Sequence, residues 1–494
     1  MEPLPAEVYS AASVRAMDRH AIERAGIAGY TLMQRAGSSA FNAMRRHWPE
    51  ASTLAVVCGA GNNAGDGYVL ARLARAAGID VRVLALTDPK RLRGDAARAH
   101  AEFAADGGKA GEFGAHSLEG AMLVVDALLG TGIDRTVEGQ YLDCIEGVNR
   151  AGLPVLALDI PSGLDADTGQ PRDAAIRATR TLAFIALKCG LFLGAAPEYV
   201  GALELAGLDV PASVRDAQAP VLRRMDGRLA AAALPARRRT AHKGEHGSVL
   251  VIGGFAMAGA ARLAGEAALR TGAGLVTVAT NAEGAGPIVA TRPELIARAI
   301  DFGEGFSQLL ANSDAIAIGP GLGNGRNARR AFDAAAGADR PIVVDADALA
   351  LLAAQPRKRD DWILTPHPGE AARLLGAHAS AVQRDRLGAV REIAKRFGGI
   401  CVLKGAHTLV QGPDSLPWVC DRGNPGMASA GSGDVLTGIV AALLAGGSEP
   451  ALAAAAGVFV HAEAGDRAAR RGMRGMIAGD LIAELQGVVN APWK

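Results

Sequence analysis

Several polar residues in this chain sit where glycine-rich turns would present them for chemistry. The segment Gly59-Ala-Gly-Asn-Asn-Ala-Gly-Asp-Gly67 follows an apolar run and precedes a helical pattern from about Tyr68. Its glycines permit a sharp turn and close backbone approach, and a helix N-terminus offers unpaired N–H groups to an anion. A glycine loop alone is a tight turn. Asn62, Asn63 and Asp66 add side-chain oxygens that such a turn does not require. Two carboxylates follow apolar runs further on. Asp126 ends Leu-Val-Val-Asp and leads into Gly130-Thr-Gly-Ile-Asp-Arg-Thr136, and Asp159 follows Val-Leu-Ala-Leu and leads into Ile160-Pro-Ser-Gly163. In an open parallel sheet the ligand crevice lies at the carboxyl ends of the strands. Asn63, Asp126, Asp159 and Ser162 are therefore expected to converge there.

The second half holds the sharper signal, Gly423-Asn-Pro-Gly-Met-Ala-Ser-Ala-Gly-Ser-Gly-Asp-Val-Leu-Thr-Gly438. Gly431, Ser432 and Gly433 supply consecutive backbone N–H groups at the start of an apolar helix, a nest for a terminal phosphate and its growing charge. Asp434, in the first helical turn, is placed to accept a proton from a substrate hydroxyl. A helix N-terminus lowers an Asp pKa, which predicts a weak base here. Gly319-Pro-Gly-Leu-Gly323, Val344-Asp-Ala-Asp-Ala348, Thr365-Pro-His-Pro-Gly-Glu370 and Lys404-Gly-Ala-His-Thr408 each follow a strand-like run or lie on a stiffened loop. They fit a phosphoryl-transfer site, with His367 aimed by its flanking prolines.

The elements that must position these residues read as two α/β domains in tandem. Helical patterns at Ser13–Ala25 and Leu32–Trp48 precede strand-like runs at Thr53–Cys58, Asp80–Leu86, Met122–Val125 and Pro154–Leu158, with Arg180–Leu187 and Gly201–Leu205 as further strands. Strand alternating with helix implies a parallel sheet covered on both faces. Between Asp209 and Arg239 the chain holds Pro211, Pro220 and Pro235 and then the basic cluster Arg237, Arg238 and Arg239, so 216–236 is expected to be a linker between a domain at 1–215 and another at 237–494. The alternation then restarts. Strands are predicted at Ser248–Ile252, Gly274–Ala279, Ala315–Ile318, Ile342–Val344 and Cys401–Leu403, and helices at Ala260–Thr271, Gly369–Leu375, Ala389–Phe397 and Val435–Leu444.

Bulk properties narrow the class. At 494 residues the chain exceeds one ordinary core. Lys+Arg 52 against Asp+Glu 51 gives no electrostatic case for nucleic acid or an acidic membrane. Five scattered cysteines without a CxxC pair argue against a zinc site or disulfide framework and suit a reducing compartment. Neither a signal peptide nor a membrane span is expected, since the apolar run Leu182–Leu193 carries Lys188 and is short, so a cytoplasmic protein is.

The first half closely resembles the NAD(P)H-hydrate epimerases, the YjeF N-terminal domain, over roughly residues 8 to 210. Arg15-Ala-Met-Asp-Arg19, Leu32-Met-Gln-Arg-Ala-Gly37, the loop at 59–67, Val125-Asp-Ala-Leu-Leu-Gly-Thr-Gly132 and Leu158-Asp-Ile-Pro-Ser-Gly-Leu-Asp165 carry the resemblance; Gln34 stands where the family commonly has Glu. It implies a Rossmann-like three-layer α/β/α domain in which Asn63, Asp126 and Ser162 hold a potassium ion. It also implies that Asn62, Asn63, Ala64, Gly65 and Asp66, with Gly130, Thr131, Gly132, Ile133, Asp134, Arg135 and Thr136, line the dinucleotide. Asp159 would be the acid/base at the hydrated nicotinamide ring.

From about Lys243 to Leu485 the chain resembles the ADP/ATP-dependent NAD(P)H-hydrate dehydratases, the YjeF C-terminal domain of ribokinase-like α/β fold. Val343-Asp-Ala-Asp-Ala, Thr365-Pro-His-Pro-Gly-Glu and Gly431-Ser-Gly-Asp434 distinguish it from generic sugar kinases. The resemblance implies that Ala260, Gly323, His367 and Asp434 contact the hydrate, while Lys404, Gly405, Ala406, His407, Thr408 and Gly433 contact ADP or ATP. The segment Gly253–Ala260 is shorter than the usual family form. Magnesium is expected with the transferring phosphates. The substrates implied are hydrated NADH and NADPH, NADHX and NADPHX, and the family suggests a homo-oligomer. A kinase for a small vitamin or sugar hydroxyl, or a first domain that only binds ligand, is the competing reading.

Overall fold

The computed structural model describes residues 4–132 and 136–493, which form two compact units, Met1–Leu222 and Arg223–Lys494. The first is a seven-stranded, wholly parallel sheet. Its spatial order is Ala110–Gly111, Asp80–Ala85, Thr53–Cys58, Leu123–Ala127, Val155–Leu158, Arg180–Phe184, Ala202–Ala206. The strands are continuous apolar runs because both faces are covered. Helices Gly29–His47, Asn62–Ala76 and Gly94–Ala105 share one core layer with Leu54, Val56, Val125 and Leu156. The helix Gln140–Ala151 buries Cys144, Ile145 and Val148 among Ala55, Val57 and Val124 of the opposite face.

Strand order reverses between Thr53–Cys58 and Leu123–Ala127, so the chain leaves their carboxyl ends in opposite directions and opens a crevice there. That switch point is where the loops after Cys58 and Ala127 begin. The predicted helix Ser13–Ala25 forms as Ala11–Glu23, capped by Ser10, whose Oγ accepts from the Ser13 amide at 3.0 Å.

The second unit is a mixed, ribokinase-like sheet. Parallel strands run in the order Ile296–Ala299, Leu275–Thr280, Ser248–Ile252, Ala315–Ile318, Ile342–Val344, Trp362–Leu364, Ile400–Leu403. Leu409–Gln411 and Trp418–Val419 extend it antiparallel. Its order reverses between Ser248–Ile252 and Ala315–Ile318, a second switch point. Helix Ser432–Ala445 packs so tightly on Ala258–Thr271 that a Cβ on Gly438 would lie 2.0 Å from the Ala264 carbonyl oxygen.

The stretch expected as a linker is ordered. Arg223 and Arg224 pair with Trp418 and Val419, Gly227–Ala233 is a helix, and Met225 and Ala230 are fully buried in the second unit's core. Prolines and arginines suggested solvent, but the apolar residues between them set the outcome. Arg237 donates to the Gly272 carbonyl, and Arg238 pairs with Glu245. All five cysteines are free and buried, and burial pushes each thiol above its usual pKa. No helix among the described residues is long and apolar enough to cross a membrane.

Candidate active sites

In the first unit, Asp126 is fully buried at the end of its strand. One of its oxygens accepts from the Ser162 amide at 2.8 Å; the other accepts from the Ser162 hydroxyl and, at 3.2 Å, from the Leu128 amide. Burial pushes Asp126 up to about 6, and the hydrogen bonds from Ser162 and Leu128 restrain that rise. The Ser162 hydroxyl also accepts from the Leu129 amide at 2.7 Å, and Asn63 donates to the Leu129 carbonyl at 3.1 Å. Three expected residues thus meet around one turn of backbone. The side-chain oxygen of Asn63 is buried there with no protein partner.

Asp159 adopts a left-handed backbone, φ 69°, which turns its side chain away from the strand path. Its carboxylate accepts from the Phe184 amide at 3.2 Å and pairs with Lys188, a lysine only 1% exposed whose ammonium also donates to the Phe184 carbonyl. Asp66 is raised well above the carboxylate range, first by burial and then by Asp159 and Asp18; Asp18 is raised too, by burial and then by Asp159. Three carboxylates therefore share one crevice with one buried cation. Asn62 is exposed at the helix start, while Ala64 and Gly65 are buried, with no room for a Cβ on Gly65 beside Met33. Gly130 adjoins Asn63, the Thr131 carbonyl accepts from Arg15 at 2.8 Å, and Gly132 and Thr136 are exposed. Ile133, Asp134 and Arg135 lie outside the described residues.

In the second unit, Gly431 has φ 88° and caps the helix Ser432–Ala445, with Asp434 in its first turn. The lowered pKa expected from the helix terminus is not what the structure gives. Asp434 is pushed up to about 7 by burial first, then by Asp345, with Asp347 and Glu370 adding and Lys404 opposing. Desolvation and like charges outweigh the helix dipole, whose effect is small at one turn. Asp345 is nearly fully buried; its two oxygens accept from Lys404 and from the Thr437 hydroxyl, each at 2.8 Å. Lys404 also lies 3.8 Å from Glu370. Burial pulls its pKa down, yet Asp345, Glu370 and Asp434 leave it raised. A Cβ on Gly433 would stand 3.2 Å from the Lys404 ammonium, so the nest and the lysine face one space.

The remaining candidates surround this centre. The Gly323 amide donates to Asp347 at 2.7 Å, and its φ of 73° suits glycine. Ala260 sits in the first turn of its helix, ahead of Leu263, which abuts Gly431. His367 is exposed and its Nδ1 caps helix Pro368–Leu375, accepting from Gly369 at 3.0 Å, which leaves Nε2 outward near Glu370. Gly405 and Ala406 are exposed, and His407 and Thr408 half-buried, on the loop after Leu403. His461, pushed down to about 4 mainly by burial, hydrogen-bonds the Ser432 carbonyl at 2.9 Å and steadies the helix start.

Sequence reasoning passed over Lys188, Asp18 and Asp345 as members of these clusters. A lysine inside an otherwise apolar run was the available signal for the first, because a buried ammonium needs a partner. Asp345 stood in a quoted motif, but its bond to Thr437 spans 92 positions and has no local signature.

Residues 249–487 match the NAD(P)H-hydrate dehydratase family, and residues 29–190 match the YjeF-related protein N-terminus family. A bifunctional NAD(P)H-hydrate repair enzyme of Coxiella burnetii is 44% identical over 485 residues, covering 98% of this chain and 99% of its own. Its Escherichia coli counterpart is 43% identical over 490 residues, covering 99% and 95%. The crystal structure of a ribokinase-like superfamily protein from Enterococcus faecalis is 25% identical, with a TM-score of 0.51 over 55% of this chain and 96% of that one.

Proposed function

The chain belongs to the bifunctional NAD(P)H-hydrate repair enzymes, and on that premise we propose a division of labour between Asp159 and Asp434. The protein interconverts the R and S forms of hydrated NADH and NADPH and dehydrates the S form at the expense of ADP or ATP. We assign epimerisation to residues 1–215 and dehydration to residues 237–494.

In dehydration, Asp434 takes the proton of the ring hydroxyl as that oxygen attacks the terminal phosphorus of the nucleotide. The nucleotide leaves one phosphate shorter. The C–O bond then breaks with its electrons going to phosphate, the ring nitrogen's lone pair fills in to give a cyclic iminium, and loss of a proton from the adjacent ring carbon restores the dihydronicotinamide. The observation that carries this reading is the carboxyl of Asp434, held near 7 at the mouth of a backbone nest beside Lys404. Such a group is poised to accept a proton at neutral pH. Lys404 and the Gly431–Gly433 amides offset charge on the transferring group. Magnesium would be carried largely by the nucleotide's own oxygens.

In epimerisation, Asp159 moves the proton at the ring, with Lys188 fixing its orientation. Potassium suits the neighbouring turn: the Asn63 oxygen is buried without a partner, and Asp126 is a carboxylate whose negative form lacks full compensation. Asn63, Asp126 and Ser162 would hold the ion. When bound, it supplies positive charge for the substrate's phosphates. Five unpaired thiols support a cytoplasmic setting. Assembly as a homo-oligomer rests on family likeness and is checked by light scattering.

The test supplies both NADHX epimers and follows absorbance recovery with chromatography of each epimer. Complete conversion with ADP or ATP and magnesium is expected. Recovery without nucleotide, or a stable phosphorylated product as a simple kinase would leave, overturns the reading.

A further inference from the structure

Arg386, on helix Arg386–Phe397, is 6% exposed. Its guanidinium donates to the Leu403 carbonyl at 3.2 Å, to the Lys404 and His407 carbonyls at 3.4 Å, and to the Gln383 side-chain oxygen at 3.2 Å. Every one of these acceptors is neutral. Burial pulls the group down to about 10, and among the described residues no carboxylate accepts from it. A buried guanidinium without a carboxylate is expensive, and the cheap solution for a merely structural site is an apolar side chain. The backbone in front of it is shaped to match. Gly405 has φ 137°, and a Cβ there would lie 2.6 Å from Arg386 Nη1; His407 also has a positive φ, 53°.

We infer that Arg386 is a positioning residue for dehydration, shaping the 404–408 loop from behind and standing as the counter-charge that the nucleotide's phosphates complete. Turning three carbonyls onto a cation removes their negative ends from the face that receives an anion. It also adds positive charge behind Lys404 without contacting the ligand. The inference rests on reading residues 404–408 as the nucleotide loop.

The experiment measures steady-state constants of the full chain with ADP, ATP and NADHX. For R386M we expect the nucleotide KM to rise about tenfold, with kcat within about threefold and the NADHX KM unchanged. R386K keeps the charge but not the planar fork, and should fall between the two. Q383L, which removes one of the guanidinium's acceptors away from the loop, should raise the nucleotide KM in the same direction and carries the test should R386M fail to fold. A nucleotide KM within about twofold of wild type in R386M and Q383L, or equal rises in both KM values, overturns the role of Arg386. A wild-type chain whose melting temperature and rate ignore ADP and ATP overturns the underlying nucleotide reading instead.

Discussion

Asp159 and Asp434 are the same side chain in two settings, the first directly after strand Val155–Leu158 and the second in the first turn of helix Ser432–Ala445. Their neighbours differ in sign. Asp159 is paired with Lys188, a buried cation. Asp434 faces Asp345, Asp347 and Glu370, with Lys404 already engaged by Asp345, and is pushed up to about 7. The contrast teaches that environment, and not residue type, sets what a carboxylate can do, which is the basis of the proposed division. One is held against a buried ammonium, and the other sits among carboxylates that push it up to about 7.

The most damaging test of that division is D434A. Dehydration should fall by about a thousandfold while epimer exchange on the same chain persists. In wild type, kcat/KM for dehydration should drop about tenfold per unit below pH 7 and flatten above it, because only the ionised carboxylate accepts the proton. A profile flat down to pH 5 would remove Asp434 from that role. Next in size is the mirror image: D159A should abolish exchange and spare dehydration. K188M should slow exchange by about a hundredfold and lower the first unit's melting temperature, since a partner is lost from a buried ion pair.

Why one half of this contrast was readable from sequence and the other was not follows from distance along the chain. The placement of Asp126, Asp159 and Ser162 at or just past strand ends was legible because apolar runs ending in a carboxylate mark the carboxyl edge of a parallel sheet. The Gly431–Asp434 nest was legible for a related reason, its glycines preceding an apolar helix. The charge state of Asp434 was not, because Asp345, Glu370 and Lys404 come from three other strand ends and only the folded sheet brings them together. Arg386 sits on an ordinary-looking helix and acts on a loop 18 residues away. The ordered strand and helix within 216–236 were hidden by prolines and arginines that outnumber the buried Met225 and Ala230.

Smaller effects sharpen the comparison. Replacing potassium by lithium should slow exchange and leave dehydration unchanged, and N63A should raise the potassium requirement by about tenfold; equal responses of both activities would remove the ion from the first unit. The smallest expected effect is T437V, which deletes a hydroxyl from Asp345 and should cost about 1.5–3 kcal/mol of stability in the second unit, read by thermal melting. Lys404 still holds the other oxygen, so the rate should change little.

The five buried thiols carry one last consequence. Alkylating agents attack the ionised sulfur, and the folded chain offers them almost none. An enzyme that mends reduced coenzymes would thereby keep working amid electrophiles and peroxides that silence thiol-dependent proteins. Iodoacetamide uptake, slow and staged, would instead serve as a clock for transient opening: Cys58, Cys144 and Cys189 timing one half of the chain, Cys401 and Cys420 the other.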